Sequence, residues 1–401
     1  MLNVVNMFPM RYIFHGLAVY FLLFLCVKWA IHLTAIFYGK WKLHRKTVPP
    51  SSEVPWPGVS IIKPLMWVDP NLYSNLETFF TQDYPKFEIL LCVEEESDPA
   101  TMVARRLMSK YPSVECRLFT RAAAVGVNPK INNMQPGYAA SRYELVLISD
   151  SSVRMKADTL RDMASRMTGQ VGLVHQLPFT CDGAGFAAAL QKIYFGTVQA
   201  RIYLASDFLG IACHIGMSSL VRKELLEEAG GLAAFGRYLA EDFFLGRWVV
   251  GRGWRTCVSG QPAWQNPGAC EVSGFLARLT RWAKLRAAMV PVTILVEPLS
   301  ECAVLGVCAS WGAARLLGAD PCGFYLVHAL VWLLLDWALL SVVQNGALPF
   351  GKLEFVTAWL FRELSSPCVY VRALCSPTVT WRARSFRLRW GGEAEQLVSR
   401  V

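Results

Sequence analysis

Residues 13–38 form a predominantly apolar segment that is long enough to cross a lipid bilayer, which takes roughly 20 residues of helix. Basic residues follow this segment, whereas a cleavable signal peptide carries its positive charges in front of the apolar run. We therefore predict that residues 1–40 are a retained transmembrane anchor, with the N-terminus outside and the bulk of the chain in the cytosol. Lys28 lies inside the anchor, so we expect it to pair with an acidic residue of the C-terminal apolar segments. The candidate partners are Glu297, Glu301 and Asp336.

Three further apolar segments occupy the last third of the chain, at residues 298–317, 324–343 and 355–375. Only 17% of the residues are charged, against about 25% in soluble proteins, which agrees with several membrane segments. The net charge of +10 comes partly from basic clusters beside the first and last apolar segments, a pattern typical of membrane topology and of contact with anionic lipid. No nucleic-acid-binding signature accompanies this charge, so we predict no nucleic-acid partner. We assign residues 287–401 to a C-terminal membrane region and a basic tail.

A polar middle lies between the apolar segments and alternates strand-like with helix-like pieces. It follows a Pro- and Ser-rich linker at residues 41–57, and its strand candidates are VSIIKPL, EILLCVE, ECRLF, ELVLISD and VGLVHQ. Helix candidates begin between these strands, near Asn71, Pro99, Lys130 and Ala157. Such alternation predicts an α/β domain with a mostly parallel sheet and helices on both faces, which we place at residues 58–286.

Two of the predicted strands end in acidic residues. The strand ELVLISD places Asp150 at the carboxyl end of the sheet, where ligands gather in open α/β folds. A carboxylate there, followed by two hydroxyl residues, suits a divalent cation bound together with a diphosphate, and capping of the next helix is the alternative. Asp98 follows the strand EILLCVE and precedes a proline, which is typical of a helix N-cap but is also compatible with a ligand-binding acid. The preceding acids, at positions 94–96, leave open which carboxylate faces a ligand.

The segment YLAEDFFLGRWVVGRGW places Glu241 and Asp242 in the first turn of a predicted helix. Acidic residues there interact favourably with the helix dipole, typically by about 0.3–1 kcal/mol, and this effect alone can account for them. The alternative is a general base, because transfer of a group to a hydroxyl needs a carboxylate that accepts the proton as the new bond forms.

The segment FLARLTRWAKLR spaces Arg278, Arg281 and Lys284 three residues apart, so they share one face of a helix, and Trp282 adjoins them. This pattern indicates an interfacial helix on lipid headgroups or a clamp on a leaving diphosphate, and the two interpretations are compatible. Upstream, the segment GVNPKINNMQPGY is rich in turn-forming residues, and its Lys130 can reach a phosphate. The sequence contains no dinucleotide-binding fingerprint, no P-loop and no zinc-ligand spacing.

Taken in order, these motifs resemble inverting glycosyltransferases of the GT-A fold that lie on membranes. The order is an acid after one strand, an Asp after a second strand, a Glu-Asp pair and then Arg-x-x-Arg-Trp. Longer stretches resemble the ceramide glucosyltransferase family nearly residue for residue, and the resemblance covers almost the whole chain. These stretches are IIKPLMWVDPNLYSNLETFFTQDYPKFEILLCV, GVNPKINNMQPGY, VGLVHQLPF and AGGLAAFGRYLAEDFF.

The resemblance implies transfer of glucose from UDP-glucose to the primary hydroxyl of ceramide with anomeric inversion, the first step of glycosphingolipid synthesis. It also implies a multi-pass Golgi membrane protein whose catalytic domain faces the cytosol. Asp98 matches the acid expected to contact uridine, Asp150 the acid expected at the diphosphate and a Mg or Mn ion, and Asp242 the expected base. The Arg-x-x-Arg-Trp motif corresponds to Arg278, Arg281 and Trp282.

Two other functions remain open at this point. A processive polysaccharide synthase of the chitin or hyaluronan type has the same pattern of acids but usually carries Gln where this chain has Arg278. The C-terminal apolar region is also small for a polymer channel. A non-catalytic membrane scaffold is the second alternative, and the complete set of acidic and Arg-x-x-Arg-Trp motifs argues against it.

Overall fold

The computed structural model describes residues 7–45, 55–213, 216–266, 268, 270–381 and 384–397, so most of the predicted linker at residues 41–57 lies outside the described residues. The strands are β1 (Val59–Leu65), β2 (Phe87–Val93), β3 (Cys116–Phe119), β4 (Leu145–Ser149), β5 (Val153–Arg154), β6 (Val171–His175), β7 (Pro178–Thr180), β8 (Ser218–Arg222), β9 (Arg255–Val258), β10 (Ala263–Gln265), β11 (Thr378–Trp381), β12 (Arg384–Leu388) and β13 (Ala394–Leu397). The α-helices are α1 (Met7–Lys42), α2 (Leu72–Phe80), α3 (Ala100–Lys110), α4 (Pro129–Ala140), α5 (Thr159–Ser165), α6 (Phe186–Tyr194), α7 (Ala200–Leu209), α8 (Lys223–Glu228), α9 (Glu241–Gly251), α10 (Val272–Met289), α11 (Thr293–Val296), α12 (Cys302–Leu317), α13 (Pro321–Gln344) and α14 (Lys352–Leu374). A π-helical stretch, Phe195–Gln199, joins α6 to α7.

A seven-stranded sheet forms the centre of the molecule, in the order β3-β2-β1-β4-β8-β6-β9. Neighbouring strands are parallel except at β8, which runs antiparallel to both β4 and β6. All residues of β1 and β4 are buried, as their apolar sequences predict for central strands covered on both faces. The predicted α/β domain with a mostly parallel sheet is therefore confirmed.

Helices cover both faces of this sheet and bury its side chains in two apolar clusters. On one face, α2, α3 and α5 contribute side chains such as Leu76, Leu107 and Met163. On the other face, α4, α8 and α9 contribute residues such as Met134 and Val249. Full burial of one such side chain stabilises the fold by about 1.5–3 kcal/mol, so the two clusters fix the sheet and the loops that leave it.

Two helices of the described residues are long and apolar enough to cross a membrane, namely Met10–Lys42 within α1 and Pro321–Gln344, which is α13. The shorter apolar helix α12 packs against α1. The predicted apolar segment at residues 355–375 falls in α14, which buries the charged side chains of Arg362 and Glu363. Because α14 packs on α10 and α6, it joins the membrane region to the α/β domain.

Lys28 does not form the ion pair expected from the sequence. Its three candidate partners contact other cations instead, and no carboxylate in the described part of the chain lies within salt-bridge distance of it. Asp336 lies 3.1 Å from His32 Nε2 and 3.0 Å from Arg362 Nη2. Glu297 contacts Arg286, and Glu301 lies 3.5 Å from Arg201.

The residues assigned to a basic tail include a small antiparallel sheet of β11, β12 and β13. The sheet packs against α10 through an apolar cluster that includes Val379 and Phe386. Lys284, on α10, donates to the carbonyl of Thr378 at 2.7 Å. Arg384 pairs with Glu94 after β2 at 2.5 Å, so one of the predicted lipid-facing cations instead attaches this sheet to the α/β domain.

Candidate active site

Asp150 follows β4 at the carboxyl edge of the central sheet, and its backbone is fixed on both sides. Its N–H donates to the carbonyl of Met217 at 2.9 Å. Its own carbonyl accepts from Lys63 Nζ at 2.6 Å, and the same ammonium donates to Ser149 at 3.3 Å. The carboxylate remains 35% exposed, so it faces open space from a rigid backbone.

Lys130 lies in the first turn of α4 and connects two acidic segments. The side chain of Asn128 caps this helix by accepting from the N–H of Lys130 at 2.8 Å. Lys130 Nζ then lies 2.9 Å from Asp150 and 3.1 Å from Glu241, and it donates to the carbonyl of Gly216 at 3.0 Å. Burial disfavours the ammonium, but attraction by these carboxylates outweighs that cost, so the pKa of Lys130 is raised.

Glu241 and Asp242 open α9, as the sequence predicts, and both are bound by fixed donors. Asn128 Nδ2 donates to Glu241 Oε2 at 2.8 Å. The N–H of Gly216 donates to Asp242 Oδ2, and the N–H of Phe243 donates to Oδ1 at 2.8 Å. Burial raises the pKa of both carboxyl groups, while the nearby Lys130 opposes this rise. A carboxylate with a raised pKa is suited to proton transfer near neutral pH.

The helix α10 carries Arg278, Arg281 and Trp282 to the same place. Arg278 donates to Gln265 Oε1 at 3.2 Å, and its guanidinium lies 4.6 Å from the centroid of the Trp282 ring. Burial, together with repulsion from Arg281, lowers the pKa of Arg278 to about 10. The guanidinium therefore stays charged at neutral pH while largely stripped of water, which strengthens its attraction to an anionic ligand.

One cavity of about 690 Å³ brings together most of the residues predicted from the sequence. Its polar end is lined by Lys130, Asp150, Glu241, Asp242, Arg278, Arg281 and Trp282. The cavity continues between the helices that follow the α/β domain, where the lining includes Val296, Val304 and Val369. A cluster of carboxylates and arginines therefore shares one cavity with apolar side chains from α11, α12 and α14.

Asp98 is not part of the cavity lining. It lies in the turn between β2 and α3, where Oδ1 accepts from the N–H of Ala100 at 2.9 Å. Both of its carboxylate oxygens also accept from the N–H of Trp67 at 3.0 Å. Of the acids just before it, Glu94 pairs with Arg384 and Glu96 with Arg105.

Three residues that form hydrogen bonds to the site residues were not identified from the sequence. Gly216 and Asn128 act through hydrogen bonds to residues distant in the chain, and no local pattern marks such contacts. Lys63 does carry a signal, because a lysine inside the apolar strand VSIIKPL is buried only when it has partners. Among the described residues, no group of three or more His, Cys, Asp or Glu side chains forms a metal cluster.

The sheet order, the strand-end carboxylates and the arginine helix define a GT-A-type glycosyltransferase with membrane helices. A solved mannosyltransferase from Pyrobaculum calidifontis, in complex with GDP-Man and Mn²⁺, has the same fold, with a TM-score of 0.50 and 16% identity over 90% of this chain and 98% of that one. The chain belongs to glycosyl transferase family 21, whose profile matches residues 27–394.

Curated relatives resemble the chain over nearly its full length. Ceramide glucosyltransferase 3 of Caenorhabditis elegans is 45% identical over 365 residues, which cover 90% of this chain and 79% of the relative. Ceramide glucosyltransferase 1 of the same organism is 42% identical over 92% of this chain and 79% of the relative. The ceramide glucosyltransferase of Komagataella phaffii is 27% identical over 92% of this chain and 90% of the relative.

Proposed function

We propose that this chain transfers glucose from UDP-glucose to the primary hydroxyl of ceramide with inversion at the anomeric carbon, forming glucosylceramide. The single observation that carries the proposal is the cavity of about 690 Å³ that runs from Asp150 and Asp242 to apolar residues of the membrane region. A charged, water-soluble donor and a lipid acceptor can meet in such a space. The relatives named ceramide glucosyltransferase support this choice of acceptor and sugar.

The polar end of the cavity suits a nucleoside diphosphate. Arg278 and Arg281 present planar guanidinium groups that can bind phosphate oxygens in pairs. Asp150 offers a rigidly placed carboxylate, and Mg²⁺ is commonly held by one or two carboxylates together with substrate phosphates. Asp150 is therefore the residue that would hold a Mg or Mn ion at the polar end of the cavity. Such an ion would offset the negative charge that develops on the leaving UDP.

We assign the role of general base to Asp242. The acceptor hydroxyl oxygen forms a bond to the anomeric carbon while the bond from that carbon to the UDP oxygen breaks, and UDP leaves with the electron pair. The hydroxyl proton passes to the carboxylate of Asp242. Both oxygens of each carboxylate accept hydrogen bonds, but Glu241 is also in direct ion-pair contact with Lys130 at 3.1 Å, which favours its charged form and makes it the weaker base. A single displacement from the face opposite UDP inverts the anomeric carbon.

The membrane arrangement supports the choice of a lipid acceptor. Lys40 and Lys42 lie at the end of α1 that meets the α/β domain, and by the positive-inside rule these charges support a cytosolic position for the domain. UDP-sugars are then accessible from the cytosol, and the acceptor hydroxyl lies at the headgroup level of the bilayer. The Golgi membrane is proposed from the resemblance to ceramide glucosyltransferases alone.

The proposal is tested with purified protein in lipid nanodiscs, supplied with radiolabelled UDP-glucose, UDP-galactose or GDP-mannose, with or without ceramide. Each reaction is run with Mg²⁺, with Mn²⁺ and with EDTA. We expect a lipid-soluble product that requires UDP-glucose, ceramide and a divalent ion. A polymer formed without ceramide would instead indicate a processive synthase, and the absence of both product and UDP binding would indicate a non-catalytic scaffold. We also expect Asp150→Ala protein to remain folded but to lose activity, because it lacks the carboxylate proposed to bind the ion.

A further inference from the structure

The helix α14 presents an apolar stripe that the described chain leaves uncovered. Leu353, Leu360, Leu364 and Val371 are 80%, 47%, 71% and 60% exposed. Intervals of seven, four and seven residues place these four side chains on one face of the helix. Arg362, on the opposite face, is buried. A continuous exposed apolar face of this kind marks an interaction surface.

Both ends of α14 lie on the side of the α/β domain. The preceding helix α13 ends beside this domain, because His44 Nε2 lies 3.0 Å from the carbonyl oxygen of Val343 and the N–H of His44 donates to the carbonyl of Gly260. After α14, the carbonyl of Thr378 accepts from Lys284 on α10. A helix whose two ends lie on the same side of a bilayer does not cross it, although the length of α14 would allow a crossing.

The contacts that α14 makes with α13 all lie at one level of α13. The ring centroids of Phe355 and Trp337 are 4.8 Å apart, and Trp359 Nε1 donates to Asp336 at 2.8 Å. Arg362 lies 3.0 Å from the same carboxylate. Between Phe355 and Arg362 the helix α14 advances by about 10 Å, whereas its partners on α13 are neighbouring residues. The helix α14 therefore runs across α13 and not alongside it.

The charged residues of α1 indicate how deep this level lies. The candidate span Met10–Lys42 is about 50 Å long as a helix, whereas the hydrocarbon core of a bilayer is about 30 Å thick. His32 contacts Asp336 at 3.1 Å, and Lys28 lies one turn before it. The part of α1 from Met10 to Lys28 covers about 27 Å, so a core placed there ends near the level of Asp336. This placement also brings the ammonium of Lys28 close to the headgroups.

We propose that α14 lies flat in the bilayer leaflet next to the α/β domain, with its stripe of Leu353, Leu360, Leu364 and Val371 among the lipid acyl chains. The occupant of the stripe is lipid because the surface is continuous with α13, a helix that is long and apolar enough to cross a membrane. Helices that lie in a membrane interface bury their apolar face at the boundary between headgroups and acyl chains. The inference is independent of the proposed donor and acceptor.

The short helix α11 extends this surface. The hydroxyl of Tyr370 donates to the carbonyl of Ile294 at 2.6 Å, which attaches α11 to the C-terminal part of α14. Val292 and Leu295 on α11 are 59% and 73% exposed. Val369 and Tyr370 on α14 line the cavity. The helix α14 thus has one surface toward the cavity and another toward the bilayer, and it forms a wall between the two.

The test measures the depth of single nitroxide labels in lipid nanodiscs, from the accessibility of each label to oxygen and to a water-soluble nickel chelate. The exposed cysteines are first replaced by serine, and the signal of this background is subtracted; these are Cys26, Cys322, Cys368 and Cys375. Labels are then placed by Leu353→Cys, Leu364→Cys and Val371→Cys. Met102→Cys is the control, because Met102 is 75% exposed on α3 in the α/β domain. Restoring Cys368 provides a label on α14 without any substitution in the native helix.

We expect the labels on the stripe to be more accessible to oxygen than to nickel, with depths that agree within about 5 Å. The label at position 102 is expected to be accessible to nickel. A crossing helix would separate positions 353 and 371 by about 27 Å in depth, so a difference above about 15 Å would overturn the inference. Nickel accessibility equal to that at position 102 would also overturn it. Labels shielded from both reagents would indicate a second copy of the chain on the stripe, which likewise contradicts burial in lipid.

Discussion

Lys130 Nζ lies 2.9 Å from Asp150 Oδ1, which joins the first turn of α4 to the end of β4 inside the cavity. The same ammonium lies 3.1 Å from Glu241 Oε1 at the start of α9. A single buried cation therefore offsets the charge of two carboxylates and also attracts a third, Asp242. This arrangement makes the protonation of the proposed base depend on Lys130.

Replacement of Lys130 by methionine is expected to shift the acid limb of the pH profile to higher pH. Burial already raises the pKa of Asp242, and Lys130 provides the largest opposing attraction. Removal of the ammonium raises that pKa further, and a base acts only when it is deprotonated, so more alkaline conditions are needed. The measurement is kcat/KM against pH.

Lys110→Met is the control, because Lys110 pairs with Glu77 on the exposed surface. We expect this variant to keep the wild-type pH profile. An unchanged acid limb in Lys130→Met would show that Lys130 does not influence the pKa of Asp242.

The backbone N–H of Gly216 holds Asp242, and the contact leaves no room for a side chain. A Cβ at position 216 would lie 2.9 Å from Asp242 Cβ and 3.1 Å from Oδ2, so the carboxylate must move. We expect Gly216→Ala to lower kcat by roughly tenfold to a hundredfold, since small displacements of a catalytic group are costly. Steady-state assays provide the measurement.

Gly251→Ala is the matched control for this substitution. Gly251 lies at the end of α9, the helix that carries Asp242, and a Cβ there meets no atom within 4 Å. We expect this variant to retain wild-type kcat. Equal losses in the two variants would indicate a general effect on α9 and not a displaced carboxylate.

Asp336 is the centre of a buried ionic cluster between the membrane helices and α7. It contacts His32, Arg201 and Arg362, and Trp359 Nε1 donates to it at 2.8 Å. We expect Asp336→Leu to destabilise the protein by about 3–5 kcal/mol, because removal of one partner leaves buried cations without compensation. Thermal unfolding in detergent measures this loss.

Asp320→Asn is the conservative control for the stability measurement. Asp320 caps α13 by accepting from the N–H of Gly323 at 2.6 Å, and asparagine caps helices equally well. We expect a melting temperature close to that of wild type. If Asp336→Leu also melted at the wild-type temperature, the cluster would have no role in stability.

The strands that could be predicted from the sequence are those that are covered on both faces of the sheet, because their residues form a continuous apolar run. VSIIKPL and ELVLISD were located this way and form β1 and β4. The antiparallel strand β8 was not predicted because it begins with Ser218 and Ser219, which are buried yet polar, and the Ser218 hydroxyl donates to Gln176, a residue 42 positions away. Its position in the sheet depends on partners that the local sequence does not encode.

In the candidate site, too, some residues could be predicted from the sequence and others could not. Asp150, Asp242 and Arg278 were recognisable because each stands at a characteristic place on a strand or helix. The residues that position these side chains could not be recognised, because contacts such as the hydrogen bond between Asn128 and Glu241 join residues 113 positions apart. The partner expected for Lys28 was wrong for the same reason, since the candidate carboxylates are bound by cations from several helices.

Replacement of Asp242 by asparagine removes the proposed base with little change of shape, because asparagine keeps an oxygen that can accept from Gly216 but cannot take up the acceptor proton. Turnover of UDP-glucose with ceramide and the Kd of UDP are measured side by side on wild-type and Asp242→Asn protein of equal melting temperature. We predict that kcat falls by about 10²–10⁴-fold while the Kd of UDP stays within threefold of wild type. Asp242→Asn protein that forms glucosylceramide at the wild-type rate would exclude Asp242 as the general base.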